Sequence, residues 1–308
     1  LVSSWGGDHF IMSVAFPYLR RVKLLIGPLE EWRGGGDARQ AITLEGDGTQ
    51  NGFRIKFNIT KHCISTASPS SIQIYNLSRG LRNSLQKAGA QIALFVGWDN
   101  IDYSLLFTGS LLNSYSARQG ADIITTLLSN PAFGGMSKTI ISKTFAGGTD
   151  VKTIVLDLAK SIPGVIVDPK NIQIENNATL GNQGLSMCAP TNSLLDSISR
   201  VHGFSWHVDN GVFYAVTDGK PLSSSGRVLI DPQNLLQAEP MLASPMQVRA
   251  GVSISCMLNP NIVPNGVVSL QTALNENING DYVVHNLSHS GDTHGQSWES
   301  RIESWIVM

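Results

Sequence analysis

Residues 52–59 read Gly52-Phe53-Arg54-Ile55-Lys56-Phe57-Asn58-Ile59, with Phe53, Ile55, Phe57 and Ile59 alternating with Arg54, Lys56 and Asn58. A period of two puts the apolar side chains on one face of an extended chain and the polar ones on the other, so this is a half-buried strand. The same pattern recurs outward from it. Ser71-Ile-Gln-Ile-Tyr-Asn-Leu-Ser78 carries Ile72 and Ile74 on one face, and the short segment Leu81 to Lys87 is helix-compatible. Ala90 to Val96 returns to strand patterning, with Gly97-Trp98-Asp99-Asn100 as a turn. Leu105 to Leu112 and Asp122 to Leu128 begin further strands. Short strands broken by turns, with one helical turn among them, predict a closed or nearly closed β-barrel module across Gly52 to Ile124.

Upstream, Val22 to Ile26 reads as a first strand ended by Gly27-Pro28. Ile11 to Phe16 is apolar but too short to span a membrane, and Arg20, Arg21 and Lys23 follow it, the wrong order for a secretory signal. Met12 is a candidate start, which would make Leu1 to Ile11 an upstream extension. Downstream, Asn130-Pro131 and Gly134-Gly135 mark a boundary, and Thr139 to Phe145 reads as a linking strand. Thr149 is placed to cap a helix bearing Val151, Ile154, Val155, Leu158, Ala159 and Ile162 at helical spacing, stopped by Pro163-Gly164; Val165 to Val167 then reads as a short strand. The plan repeats: Thr191 as cap, Leu194, Leu195, Ile198 and Val201 as the apolar face, and Gly203 as the stop. Phe204, Trp206 and Val208 then alternate into Asn210-Gly211, a two-residue hairpin signal returning through Val212 to Val216. Leu222 to Gly226 reads as a serine-rich link, and Asp231 to Leu236 with Pro240 to Pro245 as an irregular crossover. The last seventy or so residues return to strand patterning in Val252 to Met257, Val267 to Leu270, Gly280 to His289 and Trp298 to Trp305.

These segments resemble, in order and spacing, the baseplate hub proteins of contractile-tailed bacteriophages. The resemblance rests on Ile72 to Ser78 leading into a short helix, on Phe107-Thr-Gly109, on Arg118-Gln-Gly-Ala-Asp122, and at the far end on Leu258-Asn-Pro260, Gly280-Asp-Tyr-Val-Val284 and the turn around Gly291-Asp292. Pro264-Asn-Gly266 is one residue longer than the compact Pro-Gly form of the family. The resemblance implies a mainly β chain with a small α+β insertion. Its parts are an N-terminal extension (1–17), a first tube-like β-barrel (18–134), an α+β middle region (135–225) and a second tube-like β-barrel (226–308), which strands from the middle region could complete. It also implies a homotrimer that adapts a hexameric tail tube to a trimeric central spike. The expected partners are the tail tube protein, the spike protein and other baseplate proteins, and the expected location is the tail baseplate of the virion, assembled in the host cytoplasm. Two other readings are a tail-associated peptidoglycan hydrolase and the hub of a bacterial contractile injection or secretion device. Secretion hubs carry a fused β-helix spike; the sequence to Met308 shows no such repeat, so the spike is expected to be a separate chain.

Composition agrees with an assembly component. Only 15% of the 308 residues are charged, fewer than a freely soluble enzyme normally carries, so much of the surface is expected to be covered by neighbours. A net charge of −1 offers no footprint for sequence-specific nucleic acid, and no segment is expected to insert in a membrane. Cys63, Cys188 and Cys256 are scattered and odd in number, and read as small buried hydrophobes in a reducing compartment.

No catalytic, cofactor or metal residue is assigned. The densest ligand-type cluster is His285, His289, Asp292 and His294. His285 and His289 share a strand face but lie roughly 13 Å apart, too far for one ion, and Asp292 is expected to stabilise its own turn. Glu31-Trp-Arg-Gly-Gly-Gly-Asp37 lacks the Lys-Ser/Thr of a phosphate loop. Glu30 and Glu31 diverge as loop neighbours, whereas a glycan hydrolase needs two carboxylates across a cleft. H-E-x-x-H, paired C-x-x-C and G-x-S-x-G are absent. The C-terminal hairpin is too apolar for a solvated tail and is expected to pair with Val252 to Met257, leaving the first module, Gly52 to Leu128, able to fold without it.

Overall fold

A computed structural model describes residues 19–27, 41–49, 52–65, 69–85, 90–98, 101–130, 139–181, 184–241 and 250–307. The 1–17 extension, Glu30, the glycine loop at 31–37, residues 99–100, 131–135 and 242–245 lie outside these.

The N-terminal third supplies β1 (Arg20–Gly27), β2 (Ile42–Gly46), β3 (Ile55–His62), β4 (Ser70–Tyr75), α1 (Arg79–Ser84), β5 (Gln91–Trp98), β6 (Ile101–Gln119) and β7 (Asp122–Asn130). The alternation along β3 is real: Ile55, Phe57 and Ile59 are buried while Lys56 and Asn58 face solvent. These side chains meet Leu24, Ile72, Ile74, Leu94 and Phe107 in one apolar core. Each contributes roughly 1.5–3 kcal/mol by leaving water.

The middle third supplies β8 (Ile140–Phe145), α2 (Val151–Lys160), β9 (Ile172–Gln173), β10 (Leu185–Pro190), α3 (Thr191–His202), β11 (Phe204–Asp209) and β12 (Val212–Thr217). It has its own core, with Val155, Leu158, Leu195, Trp206 and Phe213 at its centre. The β11–β12 hairpin turns on Asn210 and Gly211, at φ 48° and 77°, the left-handed pair that matches the twist of its strands. The remainder supplies β13 (Arg227–Ile230), β14 (Leu235–Met241), β15 (Gly251–Met257), β16 (Val267–Leu270), β17 (Gly280–Asp292) and β18 (Trp298–Ile306), around a third core of Val228, Ile254, Leu270, Val284 and Ile302.

The first and third regions are one sheet. Its hydrogen-bonded order is β14-β15-β18-β17-β3-β4-β7-β6-β5-β1-β2, with β16 also on β17 and β13 on β16. The thirteen residues of β17 do the joining: Gly280 to Val283 pair with β16, and Asn286 to Asp292 pair with β3. Thus the mainly β reading with a small α+β insertion holds, but among the described residues the pairings do not close either half into a barrel.

Several local expectations are corrected. Asp150, not Thr149, caps α2, its carboxylate accepting the Thr153 N–H at 2.9 Å. Thr191 is already helical; its hydroxyl donates to the Thr139 carbonyl, and the residue before it is Pro190, which makes no side-chain cap. Gly203 does end α3, at φ 67°. The crossover contains a strand: β14 runs antiparallel to β15 with a bulge at Leu236. It is the outermost strand, so Pro240, which lacks a donor, is tolerated there. Cys63 and Cys256 are buried, but Cys188 is exposed, because in the β8–β10 ribbon Met187 packs on the middle core and Cys188 points the other way. The C-terminal hairpin pairs with β15 as expected, yet its Trp298 also enters the first core, as does Leu258 just after β15. No helix among the described residues is long and apolar enough to cross a membrane.

Candidate functional site

The candidate site is the junction along β3 and β17, where the first and third regions share a sheet and the middle unit docks through Lys61–Asp209. Pairing fixes Ile59 opposite His289, Lys61 opposite Leu287 and His62 opposite Asn286. Cross-strand partners share a face, so the inward row of β3 continues into that of β17. A bulge interrupts β17 between Val284 and Asn286. That extra residue is His285, so the regular spacing assumed between it and His289 does not hold. His285 turns to Cys63, its Nδ1 2.8 Å from Sγ, and its ring meets Trp305 at 5.5 Å. Burial pushes the Cys63 thiol up to about 12, reinforced by the Asp218 charge, so it remains an uncharged thiol.

His289 is fully buried and shares a 2.8 Å hydrogen bond with Ser300, whose hydroxyl also accepts the Asn259 N–H. Burial, and secondarily the Lys61 charge, hold it well below the ordinary histidine value. Asp292 and His294 sit a turn further on and do not join it. The Asp292 carboxylate accepts the His294 N–H at 3.0 Å, the turn expected from sequence, and pairs through both oxygens with Arg54, at 2.7 and 3.2 Å. The His294 ring reaches back to the Thr49 carbonyl at 3.2 Å. Among the described residues no group of three or more His, Cys, Asp or Glu side chains converges to hold a metal.

Around this turn β1 is clamped to residues 292–297. Arg20 donates to the carbonyls of Asp292, Gly295, Gln296 and Ser297, and its guanidinium lies over Trp298 at 5.5 Å. Trp298 in turn contacts Phe57 and Trp98 at 5.7 and 5.6 Å between ring centroids. The middle unit docks beside it. Lys61, 3% exposed, pairs at 2.8 Å with Asp209, 7% exposed. Asn210 accepts the Thr108 N–H at 2.9 Å, and Asp196 accepts from both Ser65 and Trp206. Sequence reading missed Lys61–Asp209; the only signal was a lysine on the apolar side of an alternating strand.

Arg54–Asp292, Lys61–Asp209 and the Arg20 clamp all hold parts of a mainly β chain together. Its fold is that of phage tail proteins. The 43 kDa tail protein of prophage MuSo2 from Shewanella oneidensis superimposes with a TM-score of 0.60 at 10% identity, over 92% of this chain and 96% of that one. The tail protein from Neisseria meningitidis MC58 gives 0.61 at 11%, over 94% and 97%. The c3393 protein of E. coli, a component of the type VI secretion system, gives 0.55 at 10%, over 83% and 73%. Comparison with curated proteins finds no match. The family described as Baseplate hub gp41 matches residues 39–301, and the chain belongs to it. It is a structural protein of the phage tail baseplate.

Proposed function

We propose that three copies of this chain form the hub of a contractile tail, adapting a sixfold tail tube to a threefold central spike. The observation that carries the reading is the pairing of two β-cores in one chain through the shared strand β17. Three such chains present six β modules on one side and three chains on the other, so one ring can face partners of either symmetry. The three cores support a division into modules at 18–134, 135–225 and 226–308, with 1–17 as an extension, although Trp298 and Leu258 cross into the first. Sparse charge supports a surface covered by the tube protein, the spike protein and other baseplate proteins. The role needs neither catalysis nor sequence-specific nucleic acid.

Sedimentation of the purified chain, alone and with its tube and spike proteins, tests this. A trimer that binds both is expected. A chain that stays monomeric across concentration and binds neither would overturn the adapter.

A further inference from the structure

The strongest unexplained feature is the charge cluster sealed between the middle unit and the main sheet. Lys61 and Asp209 form a nearly solvent-free ion pair. Two buried imidazoles lie beside it. His207, two residues before Asp209, is 4% exposed and stacks on Tyr214 at 5.2 Å; His289 is 0% exposed. His207 Nδ1 and His289 Nε2 are both buried without a hydrogen-bond partner. We propose that Lys61, Asp209, His207 and His289 form an acid-sensitive latch, which holds the β11–β12 hairpin and the α/β unit behind it against the main sheet.

The groups around the latch act with both signs, and burial outweighs those that favour a charged His207. From β3 come Lys61 and, just beyond its end, Cys63, an uncharged thiol whose backbone bonds the His207 ring. From β11 come His207 and Asp209. From β12 comes Tyr214, and just past its end Asp218, whose charge acts on Cys63. From β17 come His289 and His285, the latter bonded to Cys63. Behind β11, Asp196 of α3 is engaged by Ser65 and Trp206. At neutral pH the Lys61 ammonium and the Asp209 carboxylate offset each other within the pair. A proton added to either imidazole brings a second cation toward Lys61, where burial weakens solvent screening.

Burial lowers His207 to about 4; the Asp209 charge opposes this and Lys61 assists it. His289 moves in the same direction. Each histidine therefore takes up a proton more readily once the interface opens and its ordinary value near 6.5 returns. The closed form is at full strength above that value. As pH falls from 6.5 toward 4, it weakens by about tenfold per pH unit for His207, and His289 adds to the same trend.

Hydrogen exchange of the full chain between pH 7.5 and 4.5, corrected for intrinsic rates, reads the latch directly. Peptides over β11 and residues 61–65 are expected to lose protection below about pH 6, while those over β4 and β5 keep theirs. In His207→Gln/His289→Gln this opening is expected at least about one pH unit lower. Protection of β11 that persists to pH 4.5, or opening of the whole sheet in one step with the same midpoint in both proteins, would overturn the latch. If the variant does not fold, imidazole NMR of the unmodified chain decides. Both histidines neutral wherever β11 is protected sustains it; either one titrating near 6.5 with β11 still protected overturns it.

Discussion

Asn76 donates its side-chain amide to the Asp122 carboxylate at 2.8 Å, while its own side-chain oxygen accepts the Ile123 N–H at 2.9 Å. Two short motifs forty-odd residues apart, Asn76-Leu-Ser78 and Arg118 to Asp122, are thereby one structural unit. Asn76 stands at φ 57°, turning the chain out of β4; Leu77 enters the core; Ser78 caps α1. Asparagine suits the position because it tolerates the left-handed region and supplies the two bonds as well.

Asn76→Gly keeps the backbone geometry and loses only the side-chain bonds, so a cost of about 1 kcal/mol is expected. Asn76→Ala adds the left-handed strain and should cost about 2 kcal/mol or more. Urea unfolding of the two variants separates the contributions; equal losses would mean that the backbone conformation is unimportant.

A second motif residue is fixed by space. A Cβ on Gly109 would lie 2.5 Å from the Asn130 carbonyl oxygen and 2.6 Å from the Phe107 ring. The backbone oxygen cannot move aside without disturbing the β6–β7 pairing. Gly109→Ala is expected to cost about 1–3 kcal/mol, read as a lower urea midpoint. A midpoint within error of the parent would show that the strand has slack.

How far the sequence could be read follows from the kind of signal each element gave. Alternation in β3 and β4, helical spacing in α2 and the Asn210-Gly211 turn are local, and each was legible. β14 was not, since Leu235-Leu-Gln-Ala-Glu-Pro-Met241 has a bulge, a proline and no buried face to impose a period of two. Nor was the far half of β6, Asn113 to Gln119, where an exposed polar strand carries no hydrophobic pattern. The junction was hidden for another reason: Lys61 meets Asp209 across 148 positions, and only the docked fold supplies the partner. Of the histidine cluster, Asp292's own turn could be anticipated, while the bulge that redirects His285 could not.

Removing one member of the Lys61–Asp209 pair leaves the other charge buried alone. Asp209→Asn is expected to destabilise the chain by about 3–5 kcal/mol, whereas Lys61→Met/Asp209→Leu should be near neutral. Thermal unfolding of both proteins checks this. Similar losses in the single and double variants would mean that packing, not charge, matters here.

Burial raises the Asp292 carboxyl, but the Arg54 hydrogen bonds, the His294 N–H and the Arg54 charge together outweigh it and hold the group below its ordinary value. A depressed carboxylate stabilises the fold above its unfolded value and ceases to as pH falls through the folded one. The 292–298 turn should therefore loosen only below about pH 4. Asp292→Asn should remove that dependence, at a cost of about 1.5–3 kcal/mol at neutral pH. Exchange of the Thr293 to Ser297 amides follows it; a parent turn that opens at pH 5 would contradict the assignment.

Deleting everything after Gly280 tests the shared strand itself. The cut takes β18 and all but the first residue of β17, which removes a pairing partner from β3, β15 and β16 together. It also removes Trp298 from its contacts with Phe57 and Trp98, and strips Arg20 of its carbonyl acceptors. Tyr282, Val283, Val284, Leu287, Trp298 and Ile302 are all buried. At roughly 1.5–3 kcal/mol each, their loss is comparable with the whole stability of a domain, about 5–15 kcal/mol. Independent folding of Gly52 to Leu128, expected from sequence, is therefore not expected from the structure: both halves of the sheet should fail, and the product should aggregate through the exposed β3 edge. Sedimentation and exchange over β4 and β5 decide the matter. A soluble, well-defined truncated chain whose Ile72 and Ile92 amides stay protected would mean that β17 decorates the first half without completing it.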